Sequence, residues 1–166
     1  MDPLSATANI AAVLGLLDAV CRAGKHTYRV VAAIKQAPEE INQLRLELEE
    51  IDFLLLSIHR YCQTYRRQHP HMAAEPDSAI GHIYTTLQKL GVEYQVITAL
   101  VSENAEISQA STRQRLRSLR SKFKLVLGGQ LTASFKNLEK YKAQLSLNIQ
   151  LLAGCAASDI PFSTFS

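Results

Sequence analysis

The sequence of 166 residues has no tryptophan, three cysteines, seven glycines and five prolines. Aromatic residues make up 7% of it, which is too few for a typical β-sandwich core. The odd number and wide spacing of Cys21, Cys62 and Cys155 argue against a secreted disulfide framework, so reduced thiols are expected. The scarcity of glycine and proline excludes a collagen-like or loop-rich chain. A chain of this length corresponds to about one domain.

Motifs that carry chemistry are also missing. The sequence has no glycine-rich phosphate loop, no His-Glu-x-x-His and no Cys-x-x-Cys. His59, His69 and His71 do not supply the three or four convergent ligands that a metal site needs. We therefore expect no enzymatic activity, no metal, no cofactor and no small-molecule substrate.

Apolar residues recur at alternating steps of three and four, which is the spacing of amphipathic helices. The predicted buried stripe of the first helix is Ile10, Leu14, Leu17, Cys21, Gly24, Tyr28, Val31 and Ile34. That of the second is Ile41, Leu44, Leu48, Ile51, Leu55, Ile58, Cys62 and Tyr65, widened by Leu46, Phe53, Leu54 and Leu56, and that of the third is Ile80, Ile83, Leu87, Leu90, Tyr94, Ile97 and Val101. The first predicted helix starts at Asp2-Pro3, and Pro38 ends it. The second runs from Pro38 into the segment 66–71, and the third from about 76 to 101, followed by a polar loop at 102–111. The last covers about 130–153, with Gly154 as its stop.

A further short basic helix is predicted over about 112–127, ended by Gly128-Gly129. The predicted fold class is all-α: an antiparallel helical bundle of four long helices plus this short basic helix. We expect one helical-bundle domain over 1–153, with 154–166 as a tail or linker.

Charge is distributed unevenly. Residues 37–62 carry six acidic residues against two arginines, and residues 107–152 carry nine basic residues against one acid. Six cations fall within twelve residues that contain no acid, namely Arg113, Arg115, Arg117, Arg120, Lys122 and Lys124. They form either a solvated face paired with the acidic second helix, or a contact with anionic lipid or a partner. Nucleic acid is disfavoured because no recognised binding module is present.

The N-terminal segment is the second candidate site. Residues 3–17 carry no charge, and the apolar side chains of the predicted helix are Leu4, Ile10, Val13, Leu14, Leu16, Leu17 and Val20. Fifteen residues are short for a membrane span, which needs about 20. Asp18 would be costly in lipid unless it faced water in an oligomer. The segment is therefore either a core helix or one that can leave the bundle and enter a membrane.

Several segments together resemble a known family. The opening Met1-Asp2-Pro3-Leu4-Ser5 and the later Ala37-Pro38-Glu39-Glu40, which leads into a leucine-rich acidic helix, are similar to the N-terminal domain of fungal STAND proteins, the fungal NLR-like receptors. The stretches Leu119-Arg120-Ser121-Lys122-Phe123-Lys124 and Tyr141-Lys142-Ala143-Gln144-Leu145-Ser146-Leu147 also fit. The resemblance covers about residues 1–153. That family is related to the HeLo and HeLo-like domains of fungal cell-death proteins.

The resemblance implies a cell-death effector or signalling domain in heterokaryon incompatibility or defence. Such a domain would rest in the cytoplasm, oligomerise on activation and reach the plasma membrane through its released N-terminal helix. Its partners would be membrane lipids and either an NLR-like receptor or further copies of itself. The alternative is a helical interaction or oligomerisation module of such a receptor, without membrane activity.

Overall fold

A computed structural model describes residues 9–34, 39–68, 78–109 and 113–158, with side chains described over 9–34, 39–68, 79–103 and 129–154. Four helices make up these ranges, with no strand among them: α1 (Ile10–Ala32), α2 (Glu39–Gln68), α3 (Ser78–Gln109) and α4 (Arg113–Ser158). They pack against one another through apolar faces. The predicted all-α helical bundle is thereby confirmed.

Helix α1 begins later than the sequence predicts. Asn9 has an extended backbone and its side-chain oxygen accepts a hydrogen bond from the Ala12 amide at 2.9 Å, which is the arrangement of an N-cap. The predicted start at Asp2-Pro3 is therefore wrong for this helix, although those two residues themselves lie outside the described ranges. At the other end, the Ala33 amide donates to the Arg29 carbonyl.

The predicted apolar stripes of α2 and α3 form the centre of the core. In α2 the buried residues are Ile41, Leu44, Leu48, Ile51, Leu55, Ile58 and Cys62, and in α3 they include Ile80, Ile83, Leu87, Leu90, Tyr94, Ile97 and Val101. Tyr65, predicted at the end of the α2 stripe, is half-buried. Strict alternation of three and four therefore identifies the buried face of both helices.

Helix α4 differs from its prediction. It runs without a break from Arg113 to Ser158, through Gly128-Gly129 and through Gly154. The separate short basic helix is therefore not found, and α3 extends to Gln109 across most of the predicted polar loop. A glycine costs a helix interior only about 1 kcal/mol relative to alanine. Leu131 and Leu138, buried just beyond the glycine pair, provide packing that outweighs this cost.

The helices are not arranged as a simple ring in chain order. Helix α1 packs against both α2 and α3, whereas α4 packs extensively against α3 and lightly against α2. Helices α1 and α2 are antiparallel, because Asp18 meets His59 and Tyr28 meets Glu49. Helices α1 and α3 run in the same direction, since Val20 lies beside Gly91 and Thr27 beside Thr98. Both relations agree with the predicted antiparallel bundle, in which helices consecutive in sequence run in opposite directions and alternate helices run in the same direction.

Candidate functional site

The N-terminal helix lies with its apolar face inside the bundle. Of the residues predicted to act on membranes, Ile10, Val13, Leu17 and Val20 are buried in the core. Leu14 and Leu16 are half-buried against it, and Leu4 lies outside the described residues. These side chains therefore face a common hydrophobic interior, and none of those described forms an exposed apolar surface.

A buried polar contact joins α1 to α3. The Thr27 hydroxyl, which is 1% exposed, lies 2.9 Å from the Thr98 hydroxyl and 3.2 Å from the Tyr94 carbonyl oxygen. It also donates to the Ala23 carbonyl of its own helix at 3.0 Å. A buried hydroxyl without hydrogen-bond partners destabilises a fold. Because the partners of the Thr27 hydroxyl include Thr98 and Tyr94 of α3, the contact fixes the register of α1 against α3.

Gly24 of α1, which has no side chain, lies against the side chain of Tyr94 in α3. A Cβ atom placed on Gly24 would lie 3.0 Å from Cε2 of Tyr94, whose ring is buried. The interior also raises the pKa of the Tyr94 phenol, chiefly by desolvation and further through the nearby Asp52 and Cys21. Gly24 therefore permits the close approach of α1 and α3 that the glycine in the sequence suggested.

Polar contacts at the surface hold α1 to α2. His59 Nε2 lies 3.4 Å from Asp18 Oδ1, and the Tyr28 hydroxyl donates to Glu49 Oε1 at 2.6 Å. Arg45 Nη2 donates to the carbonyl oxygens of Ile34, Val31 and Ala32 at 2.8, 3.3 and 3.3 Å. These carbonyls lie at or just beyond the end of α1, where no further helical turn follows. The Val31 carbonyl also accepts from the Ile34 amide at 3.3 Å. Arg45 therefore caps α1 from the neighbouring helix.

The outward face of α1 is cationic, which the sequence analysis missed. Arg22, Lys25, His26 and Arg29 are all exposed there, at spacings that bring them to one side of the helix. Arg22 and Lys25 also line a groove of about 350 Å³ together with Asp18, Cys21, Leu56 and His59. The signal was present as basic residues in the gaps between the apolar positions of α1.

The thiol on α2 is enclosed in the core, whereas the thiol on α1 lines the groove beside charged residues. Cys62 is buried, and desolvation raises its pKa from the ordinary 9.0 to about 11. Cys21 is half-buried, and its pKa is also raised, first by desolvation and then by Asp52. Both thiols therefore hold their protons at neutral pH, which disfavours nucleophilic chemistry.

Across the described residues, no group of three or more His, Cys, Asp or Glu side chains is placed to hold a metal ion, and His69 and His71 lie outside them.

The predicted basic cluster lies in the first third of α4. Its residues, Arg113, Arg115, Arg117, Arg120, Lys122 and Lys124, are helical in backbone, but their side chains fall outside the described ranges. Further along α4, Lys142 Nζ lies 2.6 Å from Glu47 Oε1 and 2.8 Å from Glu50 Oε2. Burial works to lower the pKa of Lys142, but the two carboxylates outweigh it and raise the value. Lys142, which is not one of these six cations, therefore pairs with the acidic helix α2.

Large apolar side chains lie on the outer faces of three helices. Phe53 is 74% exposed and Leu46 is 62% exposed on α2. The others are Leu56 on α2, Val92 and Val96 on α3, and Leu147 and Leu151 on α4. Leu46, Phe53 and Leu56 had been assigned to a widened buried face, and for these three that interpretation is wrong.

None of the helices, within the ranges described, is both long enough and apolar enough to cross a bilayer. In α1, the charged residues of the outer face interrupt every apolar stretch that would be long enough to cross a bilayer. No protein-family model, curated protein or solved structure gives a significant match to the chain. The described residues form a bundle of four helices, and the resemblance to fungal STAND receptors is a proposal.

Proposed function

We propose that this chain is a cell-death effector or signalling domain of the kind that precedes the nucleotide-binding module of fungal STAND receptors. In this proposal the domain oligomerises on activation and moves from the cytoplasm to the plasma membrane, where α1 acts on the lipid. One observation carries it: the apolar face of α1, with Ile10, Val13 and Leu17 enclosed, can meet lipid only if the helix leaves the bundle.

The two faces of α1 suit such a role. The inner face is apolar, and the outer face carries Arg22, Lys25 and Arg29. A helix with an apolar face and a cationic face lies along a membrane interface, with its cations near anionic headgroups. A released α1 would therefore lie in the plane of the membrane rather than across it.

A reversible lock on α1 tests the proposal. The oxygens of Thr27 and Thr98 are 2.9 Å apart, close to the positions that two sulfur atoms of a disulfide would take. The double variant Thr27→Cys/Thr98→Cys would be made in a chain with Cys21, Cys62 and Cys155 replaced by alanine. We expect the oxidised protein to release no dye from anionic liposomes and the reduced protein to release it.

The control is the single variant Thr27→Cys in the same background, which cannot form the bond and should release dye whether oxidised or reduced. Equal release by the oxidised and reduced double variant would show that α1 need not leave α3, and would overturn the proposal. No release by any form of the chain, including the unsubstituted one at high concentration, would favour the second candidate.

The second candidate is a helical interaction module that does not touch lipid. The exposed Phe53, Leu46 and Leu147 favour it, because large apolar side chains on outward faces are typical of surfaces that bind other proteins. Such a module would bind a partner bundle or another copy of itself while α1 stays in place. Its binding would therefore be unaffected by the Thr27–Thr98 disulfide.

A further inference from the structure

The outer face of α2 carries an apolar row. Leu46, Phe53 and Leu56 are separated by seven and three residues, so they lie on one side of the helix. They are 62%, 74% and 41% exposed. Single exposed apolar residues are ordinary on protein surfaces, but three on one side within three turns form an apolar row. The row spans about 15 Å along the helix at 1.5 Å per residue.

Negative charge borders the part of this row between Leu46 and Phe53, whereas Leu56 lines the same groove as Arg22 and Lys25 of α1. Glu49 and Glu50 are both exposed and lie in the turn between Leu46 and Phe53. Glu49 is bound by the neutral hydroxyl of Tyr28, so its charge is not compensated there. Lys142 is shared between Glu50 and Glu47, which leaves one cation for two carboxylates. Arg45 directs its guanidinium to the end of α1. A partner for this face therefore needs both apolar and cationic side chains.

The chain itself contains a segment of that chemistry. Residues 113–124 carry six cations and no acid, and Leu116, Leu119 and Phe123 follow at steps of three and four. The segment is helical and about 18 Å long, which matches the length of the apolar row. Because α4 is one continuous helix, this segment cannot fold back over the outer face of its own α2.

We propose that the outer face of α2 binds the basic segment 113–124 of a second copy of this chain. The two surfaces differ, so each copy offers one of each kind and the contact is head-to-tail. Association can then continue beyond a dimer. The inference rests on the oligomerisation in the proposed function and deepens it by naming the two surfaces that meet, while it involves neither α1 nor lipid.

Complementation between two half-defective variants tests it without any membrane. Leu46→Ser/Phe53→Ser removes the apolar row but keeps the basic segment, and Arg117→Glu/Arg120→Glu reverses part of the segment but keeps the row. Light scattering after size-exclusion chromatography at low salt should show concentration-dependent assembly of the unsubstituted chain. Each variant alone should associate at least about tenfold more weakly, and an equimolar mixture should form a 1:1 dimer that does not grow.

The matched control is Val92→Ser/Val96→Ser, which removes exposed apolar residues from the outer face of α3 and should leave assembly unchanged. Circular dichroism and urea unfolding would verify that every variant keeps its fold. The inference is overturned if the unsubstituted chain stays monomeric at millimolar concentration, or if the mixture forms no dimer. It is equally overturned if Leu46→Ser/Phe53→Ser weakens vesicle binding but not self-association, since lipid would then occupy this face.

Discussion

Gly24 of α1 lies against the buried ring of Tyr94, and this contact can be tested with a methyl group. A Cβ atom at Gly24 would be 3.0 to 3.2 Å from Cε2, Cζ and the hydroxyl oxygen of Tyr94, whereas one at Gly15 would meet nothing within 4 Å. Alanine at an open helical site gains about 1 kcal/mol over glycine, and overpacking costs about 1–3 kcal/mol. In urea titrations we expect Gly15→Ala to have a higher free energy of unfolding than the unsubstituted chain. The free energy of unfolding of Gly24→Ala should be at least about 1 kcal/mol lower than that of Gly15→Ala. Equal values would mean that the Tyr94 ring moves aside without cost.

Individual core positions could be predicted where a helix has one buried face. In α3, every residue of the predicted stripe from Ile80 to Val101 is buried. In α1 the prediction placed Leu14 and Cys21 in the core, but Val13 and Val20 are buried instead. The reason is that α1 packs between α2 and α3, so its buried face is turned toward both. Tyr94 as the partner of Gly24 could not be predicted, because seventy residues separate them.

Arg45 joins two helices by capping one from the other. Its guanidinium donates to three carbonyls at the end of α1 and, through Nη1, to Asn42 Oδ1 at 3.1 Å. Hydrogen bonds from a charged donor contribute about 1.5–3 kcal/mol each, less where the group is partly exposed. We expect Arg45→Met to lower the free energy of unfolding by about 1–3 kcal/mol and to speed hydrogen exchange near Val31. Arg60→Met, at an exposed position on the same helix, should change stability by less than about 0.5 kcal/mol. If both variants unfold alike, the cap does not contribute to stability.

Helix ends were the least predictable elements, for two physical reasons. The sequence offered Asp2-Pro3 as a start for α1, yet Asn9 caps it, because any short polar side chain can accept the same hydrogen bond. Glycines at 128 and 129 were expected to end a helix, yet α4 continues through them. Local propensity is worth about 1 kcal/mol per residue, which tertiary packing readily overrides.

The stability of the bundle should fall in alkaline solution. Burial raises the pKa of Tyr94 above its ordinary 10.0 and that of Cys62 from 9.0 to about 11. Both groups stay protonated to a higher pH in the folded chain than in the unfolded chain. Their contribution to the free energy of unfolding is therefore complete below the pKa values of the unfolded chain and is lost as the pH rises toward those of the folded chain. Each group can weaken stability by up to about 1.4 kcal/mol per pH unit in that range. Urea unfolding between pH 8 and 11 should show a smaller loss for Tyr94→Phe than for the unsubstituted chain. Identical slopes would contradict the enclosure of the phenol.

The arrangement of the helices could not be derived from their patterns. Stripes and loop lengths predicted four long helices and a bundle, which the structure confirms. They contained no signal that α3 would lie beside α1. That pairing depends on local fits, such as Thr27 with Thr98 and Val20 with Gly91, between residues far apart in sequence. The exposed Phe53 was missed for the same reason, since apolar identity alone does not tell which side of α2 has a neighbour.

The position of α1 between α2 and α3 also determines how abruptly the molecule can change state. Helix α2 packs mainly on α1 and only lightly on α4, whereas α3 keeps its extensive contact with α4. Removing α1 would therefore detach α2 as well and leave α3 and α4 as the remaining pair. The departure of α1 is then a cooperative event that involves half of the bundle. Only a stimulus above a threshold would cause it, and a weaker one would leave the bundle closed.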